Sequence, residues 1–171
     1  CCMSTPDDVD HIDSEWKIHT EGYFCEKWIV PEKVMLLRNS DDKLILMKKH
    51  IDTLSAIHEM QMLAKSGSLT NPKLSRQFIS YDFMKGQDLH DFITSNAKAS
   101  DSKRLICCMK IASAIDQLHR NGIAHMDIKP ENIVLRYSNL YDPVLIDFEF
   151  AEYNRAWMLN RTFVIRKTKR K

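Results

Sequence analysis

The residues best suited to chemistry lie in a short segment in the second half of the chain. It reads His125-Met126-Asp127-Ile128-Lys129-Pro130-Glu131-Asn132, and Ile146-Asp147-Phe148-Glu149 follows after two apolar runs. The five-residue step from Asp127 to Asn132 contains a proline, which predicts a rigid loop and not a helix. Such a loop can turn both side chains into one cleft. Carboxylate and amide oxygens are hard ligands of the kind that Mg²⁺ prefers.

Apolar patterns in the first half of the chain predict a sheet followed by a helix. Three short apolar runs at 28–30, 34–37 and 44–47 read as strands, and a polar turn cluster separates the last two. Helical spacing of apolar residues then covers 52–65, with Asp52 as the N-cap. These elements would lie upstream of the loop.

Further elements frame the loop directly. A buried strand is predicted at 78–84, a short helix at 88–95, and a long helix from Ser100 or Asp101 to residue 120, which Asn121-Gly122 would end. Two brief apolar strands, 133–135 and 144–146, follow the loop and position its neighbours.

The two segments resemble the catalytic loop H-R-D-x-K-P-x-N and the metal-binding loop D-F-G of eukaryotic-type protein kinases. The resemblance extends from about Ile18 to Phe150 and is strongest from Leu105 onward. It implies an α+β, two-lobed protein-kinase-like fold, with a small antiparallel sheet lobe, a truncated helical lobe, and ATP and Mg²⁺ as cofactors.

The resemblance also assigns a role to each residue of the loop. Asp127 would lie beside the attacking hydroxyl, and Lys129 would offset charge on the transferred phosphate. Asn132 and Asp147 would hold Mg²⁺. A lysine two residues after the aspartate resembles serine/threonine kinases more than tyrosine kinases. His125 is expected to brace the loop by hydrogen bonding.

Weaker matches precede the loop in the order of the family. Lys48, which ends the third predicted strand, resembles the lysine that anchors the phosphates, and Glu59 its ion-pair partner. Only 11 residues separate them, and Lys43, 16 residues before Glu59, is the alternative; it lies in a polar turn, so Lys48 is preferred.

Two further matches would complete a nucleotide site. Gly22 would be the middle glycine of a loop that covers the phosphates, because Thr20-Glu21-Gly22-Tyr23-Phe24-Cys25 lies where that loop is expected. The backbones of Asp82 and Met84 would bind adenine, with Tyr81 at the back of the pocket.

The resemblance divides the chain into three parts. These are a flexible leader at 1–15, a kinase-like domain at 16–150 (a sheet lobe at 16–81, a hinge at 82–87 and a second lobe at 88–150), and a basic tail at 151–171. The tail reads either as a solvated segment or as a docking element for an acidic partner.

Departures from the family pattern keep a second function open. Met126 replaces an arginine, Glu149 replaces a glycine, and only 22 residues follow Glu149. The expected function is an active serine/threonine protein kinase with a protein substrate. The alternatives are a pseudokinase or decoy that regulates a partner, and small-molecule phosphotransfer, which is disfavoured because those kinases usually lack the Lys129-Pro130 pair. A protein partner would cover the truncated lobe.

Composition bounds these expectations. Apolar residues make up 44% and charged residues 28% of the chain, as in soluble globular proteins, and no apolar run is long enough for a membrane span. We therefore expect a cytoplasmic or nuclear protein, in a host cell if it is an effector, with neither membrane nor nucleic acid as a partner. The five cysteines and the remaining histidines do not have the spacing of metal ligands. These histidines are His11, His19, His50, His58, His90 and His119.

Overall fold

The structure is a computed structural model that describes residues 13–30, 32–95, 100–137 and 142–155. This part of the chain divides into two compact units, with breaks after Met60, Ser68 and Phe83. The last break falls inside the predicted hinge segment 82–87. Residues 61–68, which the sequence assigned to the sheet lobe, belong to the second unit. Among the described residues, no helix combines the length and apolar character needed to cross a bilayer.

The first unit begins with a helix that the sequence did not predict, α1 (Ser14–His19). The side chain of Asp13 caps it by accepting a 2.9 Å hydrogen bond from the Trp16 backbone. Trp16 is buried and meets Trp28 and Phe78 edge-on, with ring centroids 5.1 and 4.9 Å away. Residues 13–15 are therefore part of a packed helix and not of the predicted leader; residues 1–12 lie outside the described residues.

The rest of the first unit is an antiparallel sheet and a helix. The elements are β1 (Tyr23–Val30), β2 (Val34–Asn39), β3 (Leu44–Lys49), α2 (Thr53–Ser66), β4 (Lys73–Ser75) and β5 (Phe78–Asp82), and the strand order is β1-β2-β3-β5-β4. The predicted strands and helix are confirmed, while β4 was not predicted. Asp52 starts α2 as expected, because its side chain accepts a 2.7 Å bond from the Ser55 backbone.

The two faces of this sheet differ because successive side chains of a strand point to opposite sides. Met47 packs on the α1 face, in a core with Trp16, Met35, Leu37 and Phe78. Its neighbour Lys48 points to the other face, towards Glu59 on α2. The sheet thus separates an apolar core from a charged pair.

The second unit contains the long helix and the loop. Its elements are β6 (Gly86–Asp88), α3 (Leu89–Ser95), α4 (Asp101–Arg120), β7 (Ile123–Ala124), β8 (Ile133–Arg136), β9 (Pro143–Leu145) and β10 (Glu152–Tyr153). β6, β8 and β9 form one sheet, and β7 pairs with β10. The predicted α+β class is confirmed. The first residues of the predicted tail, 151–171, include the strand β10. Residues 156–171 lie outside the described residues.

Two features of this unit bear on the loop. Gly86 lies so close to β8 that an added Cβ would stand 2.5 Å from Val134 Cγ1 and 2.6 Å from the Leu135 carbonyl oxygen, so only glycine fits. This close pairing fixes β8, which begins directly after Asn132. On α4, Leu105 and Met109 remain 61% and 63% exposed, so these apolar side chains are not covered by the described residues.

Candidate active site

The loop after β7 gathers its polar side chains around one carboxylate. Lys129 donates from Nζ to Asp127 Oδ2 at 2.8 Å, and Asn132 donates from Nδ2 to the same oxygen at 2.8 Å. The Asn132 amide also donates to the Asp127 backbone carbonyl at 3.0 Å. Three of the predicted site residues therefore converge.

Local structure explains this convergence. Pro130 opens a single 3-10 turn, Pro130–Asn132, and the Asn132 backbone N–H donates to the Lys129 carbonyl at 3.0 Å. Proline suits the first position of such a turn because its missing N–H would have no partner there. The turn folds Asn132 back over Asp127.

His125 braces the loop against the chain that leads to Asp147. Its Nε2 lies 2.9 Å from the Ile146 carbonyl oxygen, and its Nδ1 lies 3.4 Å from the Asp127 backbone nitrogen. A tautomer with the proton on Nε2 satisfies both contacts. The ring is buried, with its centroid 4.8 Å from that of Phe148, which is fully buried.

A backbone bond brings Asp147 to the same region. The Ile146 N–H donates to the Asn132 carbonyl at 3.0 Å, so Asp147 follows directly on a residue bonded to the loop. The negative charge of Asp147 also contributes to the raised pKa of Lys129. All four loop residues predicted from the sequence thus lie in one part of the second unit.

Backbone strain flanks the cluster. Met126 and Asp147 have φ angles of 65° and 63°, in the left-handed region that non-glycine residues seldom adopt. Each lies between residues held by the bonds described above. Such strain persists only where neighbouring contacts enforce it, and it is concentrated at functional sites. The neighbouring Glu149, by contrast, is not among the described residues with positive φ, so this backbone does not require the glycine of the D-F-G pattern.

The cluster keeps Asp127 ionised. The hydrogen bond from Lys129 is the main cause that lowers the pKa of Asp127, and the bond from Asn132 adds to it. The same bond raises the pKa of Lys129. Both side chains reach solvent, with 27% of Asp127 and 47% of Lys129 exposed, so a substrate can approach them.

The first unit carries a second charged group, which is buried. Lys48 Nζ donates to Glu59 Oε2 at 2.8 Å, and the exposed fractions of their side chains are 12% and 1%. Lys43, the alternative to Lys48, instead pairs with Asp82 at 2.9 Å. The structure therefore pairs Glu59 with Lys48, the last but one residue of β3, and not with Lys43.

Comparison with protein families covers most of the chain. Residues 29–166 match the protein kinase domain. The chain belongs to the protein kinase family. The matched region contains both charged groups and the loop.

Several curated relatives are serine/threonine-protein kinases. Cds1 of Schizosaccharomyces pombe is 24% identical over 136 residues, covering 80% of this chain and 29% of the relative. RAD53 of Saccharomyces cerevisiae is 27% identical over 135 residues, covering 71% and 16%. A probable kinase, PknB of Lactococcus lactis, is 34% identical over 88 residues, covering 52% and 14%. The kinase chain spans less than a third of the length of these relatives.

The structure contradicts the prediction for Gly22. Gly22 precedes β1, and Tyr23 pairs with Asn39 at the far end of β2, whereas Lys48 pairs with Val34 at its start. Five residues of strand, roughly 16 Å, separate these ends. Gly22 therefore cannot cover phosphates held by Lys48. The sequence prediction placed Gly22 by its order along the chain. Its position in the sheet is set instead by the register of strand pairing.

The turn at the Lys48 end joins β1 to β2 and contains Glu32 and Lys33. The Lys33 carbonyl accepts a 2.7 Å bond from the Lys49 backbone, which ties this turn to the end of β3. Residues 31–33 of the kinase contain no glycine. The position of a phosphate-covering loop is thus occupied by a turn of different composition.

The residues predicted to bind adenine are partly engaged already. The Asp82 backbone N–H donates to the Thr70 carbonyl at 3.1 Å, and its carboxylate accepts from Asn71 at 2.6 Å as well as from Lys43. In the second unit, Arg136 Nε lies 3.1 Å from Met84 Sδ. The Asp82 amide is therefore not available to a base.

A cavity of about 710 Å³ lies on the other face of the first unit's sheet. Met47 and Phe78 line it, together with His19, Lys43 and Asp82, whereas Lys48 and Glu59 do not. The cavity therefore adjoins the α1 core and is separate from the Lys48–Glu59 pair.

Sequence reasoning missed one residue beside that pair. His50 Nε2 lies 2.9 Å from Glu59 Oε2, and its side chain is 1% exposed. From the sequence, His50 was considered only as a metal ligand, for which its spacing is unsuitable. The missed signal is its spacing, because a residue two positions after Lys48 continues the same strand face.

Proposed function

We propose that this chain transfers the γ-phosphate of ATP, with Mg²⁺, to a serine or threonine hydroxyl of a protein. The observation that carries the proposal is the shared carboxylate oxygen of Asp127, which both Lys129 and Asn132 contact at 2.8 Å. Phosphoryl transfer needs positioning and charge neutralisation more than covalent chemistry. A carboxylate fixed beside an amine suits that need.

Asp127 would orient the substrate hydroxyl. Its lowered pKa makes it a weak base that remains ionised at neutral pH. A hydroxyl donating to this carboxylate would be held in line with the phosphate while its own proton becomes acidic late in the reaction. Lys129 would meet the growing charge on the transferred group.

Asn132 and Asp147 fit a magnesium site by the chemistry of their donor atoms. The Asn132 amide nitrogen faces Asp127, so the amide oxygen is directed elsewhere and can act as a ligand. Together with the Asp147 carboxylate, it forms a hard oxygen donor set. When bound, Mg²⁺ would neutralise the phosphates; these two residues would hold it.

The first unit would contribute the anchor for the remaining phosphates. The Lys48 ammonium donates to Glu59, and a cation held in this way suits the negative charge of phosphates. For adenine, the engaged Asp82 amide leaves the Asp82 carbonyl oxygen and the Met84 backbone as the proposed partners. A protein hydroxyl as acceptor is supported by the serine/threonine kinases among the relatives.

A radiolabelled γ-phosphate assay on purified protein tests the proposal, with casein as a generic acceptor. We expect Mg²⁺-dependent labelling of casein or of the protein itself by the wild type. Asp147→Ala should abolish it, because a metal ligand is lost. Asp116→Ala is the matched control: Asp116 lies on α4 and pairs with Arg120 at 2.6 Å, away from the loop. Equal labelling by wild type and Asp147→Ala would refute the proposal.

The turn between β1 and β2 favours a second candidate, a pseudokinase that regulates a partner protein. Glu32 belongs to this glycine-free turn, next to Lys33, whose carbonyl is bonded to the end of β3; an acidic residue in the turn would disfavour phosphates. A thermal-shift titration separates the two candidates, because only a ligand that binds the folded state raises its stability. No shift with ATP and Mg²⁺, together with no transfer, would favour the pseudokinase.

A further inference from the structure

His50 occupies a position from which it can control the Lys48–Glu59 pair. It directly follows β3, two residues after Lys48, and side chains two apart on a strand share a face. Lys49, between them, points the other way, over the rings of Trp16 and Phe78. The imidazole therefore faces α2 and Glu59.

The backbone of His50 is fixed by pairing, and burial of its side chain, which is 1% exposed, limits rotation of the ring. The His50 N–H donates to the Gln77 carbonyl at 2.8 Å, which extends the pairing of Lys49 with Phe78 by one step. The imidazole ring therefore has little freedom to turn away from the Glu59 carboxylate.

Two side-chain nitrogen atoms, one from Lys48 and one from His50, lie close to the same carboxylate oxygen of Glu59. Lys48 Nζ lies 2.8 Å and His50 Nε2 lies 2.9 Å from Glu59 Oε2. The two atoms are at hydrogen-bonding distance, but His50 Nε2 does not form a well-aligned hydrogen bond in this geometry, so the contact is a close polar approach. With both Glu59 and His50 at 1% exposure, water cannot replace either nitrogen easily.

A buried carboxylate needs such partners. Burial alone raises the pKa of Glu59, but the bond from His50 and the charge of Lys48 more than offset this, and its pKa lies below the ordinary value. Removing the imidazole would take one close nitrogen away from this carboxylate, in a site where the loss of a polar contact is costly. Glu59 would then turn or move, and Lys48 with it.

We propose that His50 is a positioning residue, which holds the Glu59 carboxylate so that Lys48 stays aimed towards the phosphates of ATP. The aim at ATP rests on the proposed function, whereas the hold on Glu59 does not. His50 acts through Glu59 and touches no reacting atom. Its role is to keep one ammonium in a single orientation.

The test replaces the nitrogen donor while keeping the length of the side chain. His50→Met removes the donor, and His50→Gln restores an N–H near the position of Nε2. The control is His19→Met, a similar change at a histidine whose ring packs on Phe78, on the other sheet face. The first readout is the rate at which an acylating reagent modifies Lys48, measured by peptide mass spectrometry with Lys49 as internal reference.

We expect His50→Met to speed acylation of Lys48 several-fold and to raise the KM for ATP by about threefold or more, because a buried carboxylate loses a close polar contact. His50→Gln should restore both values towards the wild type, and His19→Met should change neither. Wild-type acylation of Lys48 in folded His50→Met would overturn the inference, as would a His50→Gln variant no better than His50→Met.

Two arrangements keep the test decisive. If His50→Met does not fold, nitrogen-15 NMR of the wild type decides, since a His50 Nε2 without a proton cannot donate to Glu59 and would refute the inference. A proton on Nε2 would support it. Failure of the proposed function is recognised separately: the wild type then transfers no phosphate, while the acylation readout still reports on Glu59 and Lys48.

Discussion

The two charged clusters of this chain contain similar residues but differ in how deeply these residues are buried. In the second unit, Asp127 and Lys129 pair at 2.8 Å with 27% and 47% of their side chains exposed. In the first unit, Glu59 and Lys48 pair at the same distance with 1% and 12% exposed. One cluster stands open to a substrate, and the other is enclosed by protein.

This difference in burial determines what each cluster contributes to stability. Exposed ion pairs contribute little because water competes for both charges, whereas breaking a buried pair leaves a charge without compensation. The open cluster is therefore expected to matter for chemistry alone. The enclosed cluster is expected to matter for chemistry and for folding.

The largest expected effect breaks the open cluster. Asp127→Asn should lower phosphate transfer by about 10²- to 10⁴-fold, the usual contribution of a positioned acid or base. The amide keeps the shape of the side chain but cannot orient the substrate hydroxyl as a carboxylate does. Steady-state kinetics on a peptide substrate measure the loss.

Two controls accompany this variant. The temperature of unfolding should stay close to that of the wild type, because both partners of the pair are solvated. Nucleotide affinity should also persist. A stable, nucleotide-binding Asp127→Asn protein with wild-type turnover would remove Asp127 from the mechanism.

The next effect breaks the enclosed cluster. Glu59→Gln should lower the free energy of unfolding by about 3 kcal/mol, because it removes the counter-charge of a buried lysine. The variant should also raise the KM for ATP, since Lys48 loses its guide. Urea denaturation measures the first quantity. A stability equal to that of the wild type would show that the buried pair is dispensable for folding.

Acid sharpens the same comparison. The folded pKa of Glu59 lies below its ordinary value of 4.5, so the stability from its ionised form is present above that value and is lost as pH falls through the folded pKa. The gap in stability between wild type and Glu59→Gln should therefore be widest above about pH 5 and should close in more acidic solution. A gap that does not change with pH would assign the loss to packing.

The smallest effect concerns the lysine next in sequence. Lys49 pairs with Asp13 at 3.1 Å and with Glu15 at 3.0 Å, and both acids are well exposed. Lys49→Met should cost about 1 kcal/mol or less in the free energy of unfolding and should leave the KM for ATP unchanged. Comparison with Lys48→Met in the same assays measures how far one step along a strand separates structure from function. An equal rise of KM in both variants would contradict the division of the two sheet faces.

Local patterns predicted much of the fold. The helix α4 was recognisable because its apolar residues repeat with the helical period, and the strands β2 and β3 because they are short continuous apolar runs. The helix α1 was missed because its six residues contain a single buried side chain, Trp16, whose partners Trp28 and Phe78 lie far along the chain. Periodicity cannot reveal an element held by distant contacts.

The rigid conformation of the loop 125–132 could be predicted from neighbouring residues, since its proline and the five-residue step from Asp127 to Asn132 restrict the backbone locally. Only the tertiary structure decided which glycine, lysine and histidine accompany Glu59. Gly22 was assigned to the wrong end of the sheet, and His50 was overlooked, because strand register sets both positions and depends on pairing between segments distant in sequence. Local geometry depends on neighbouring residues, whereas burial and strand register depend on contacts between distant segments, which form only when the chain folds.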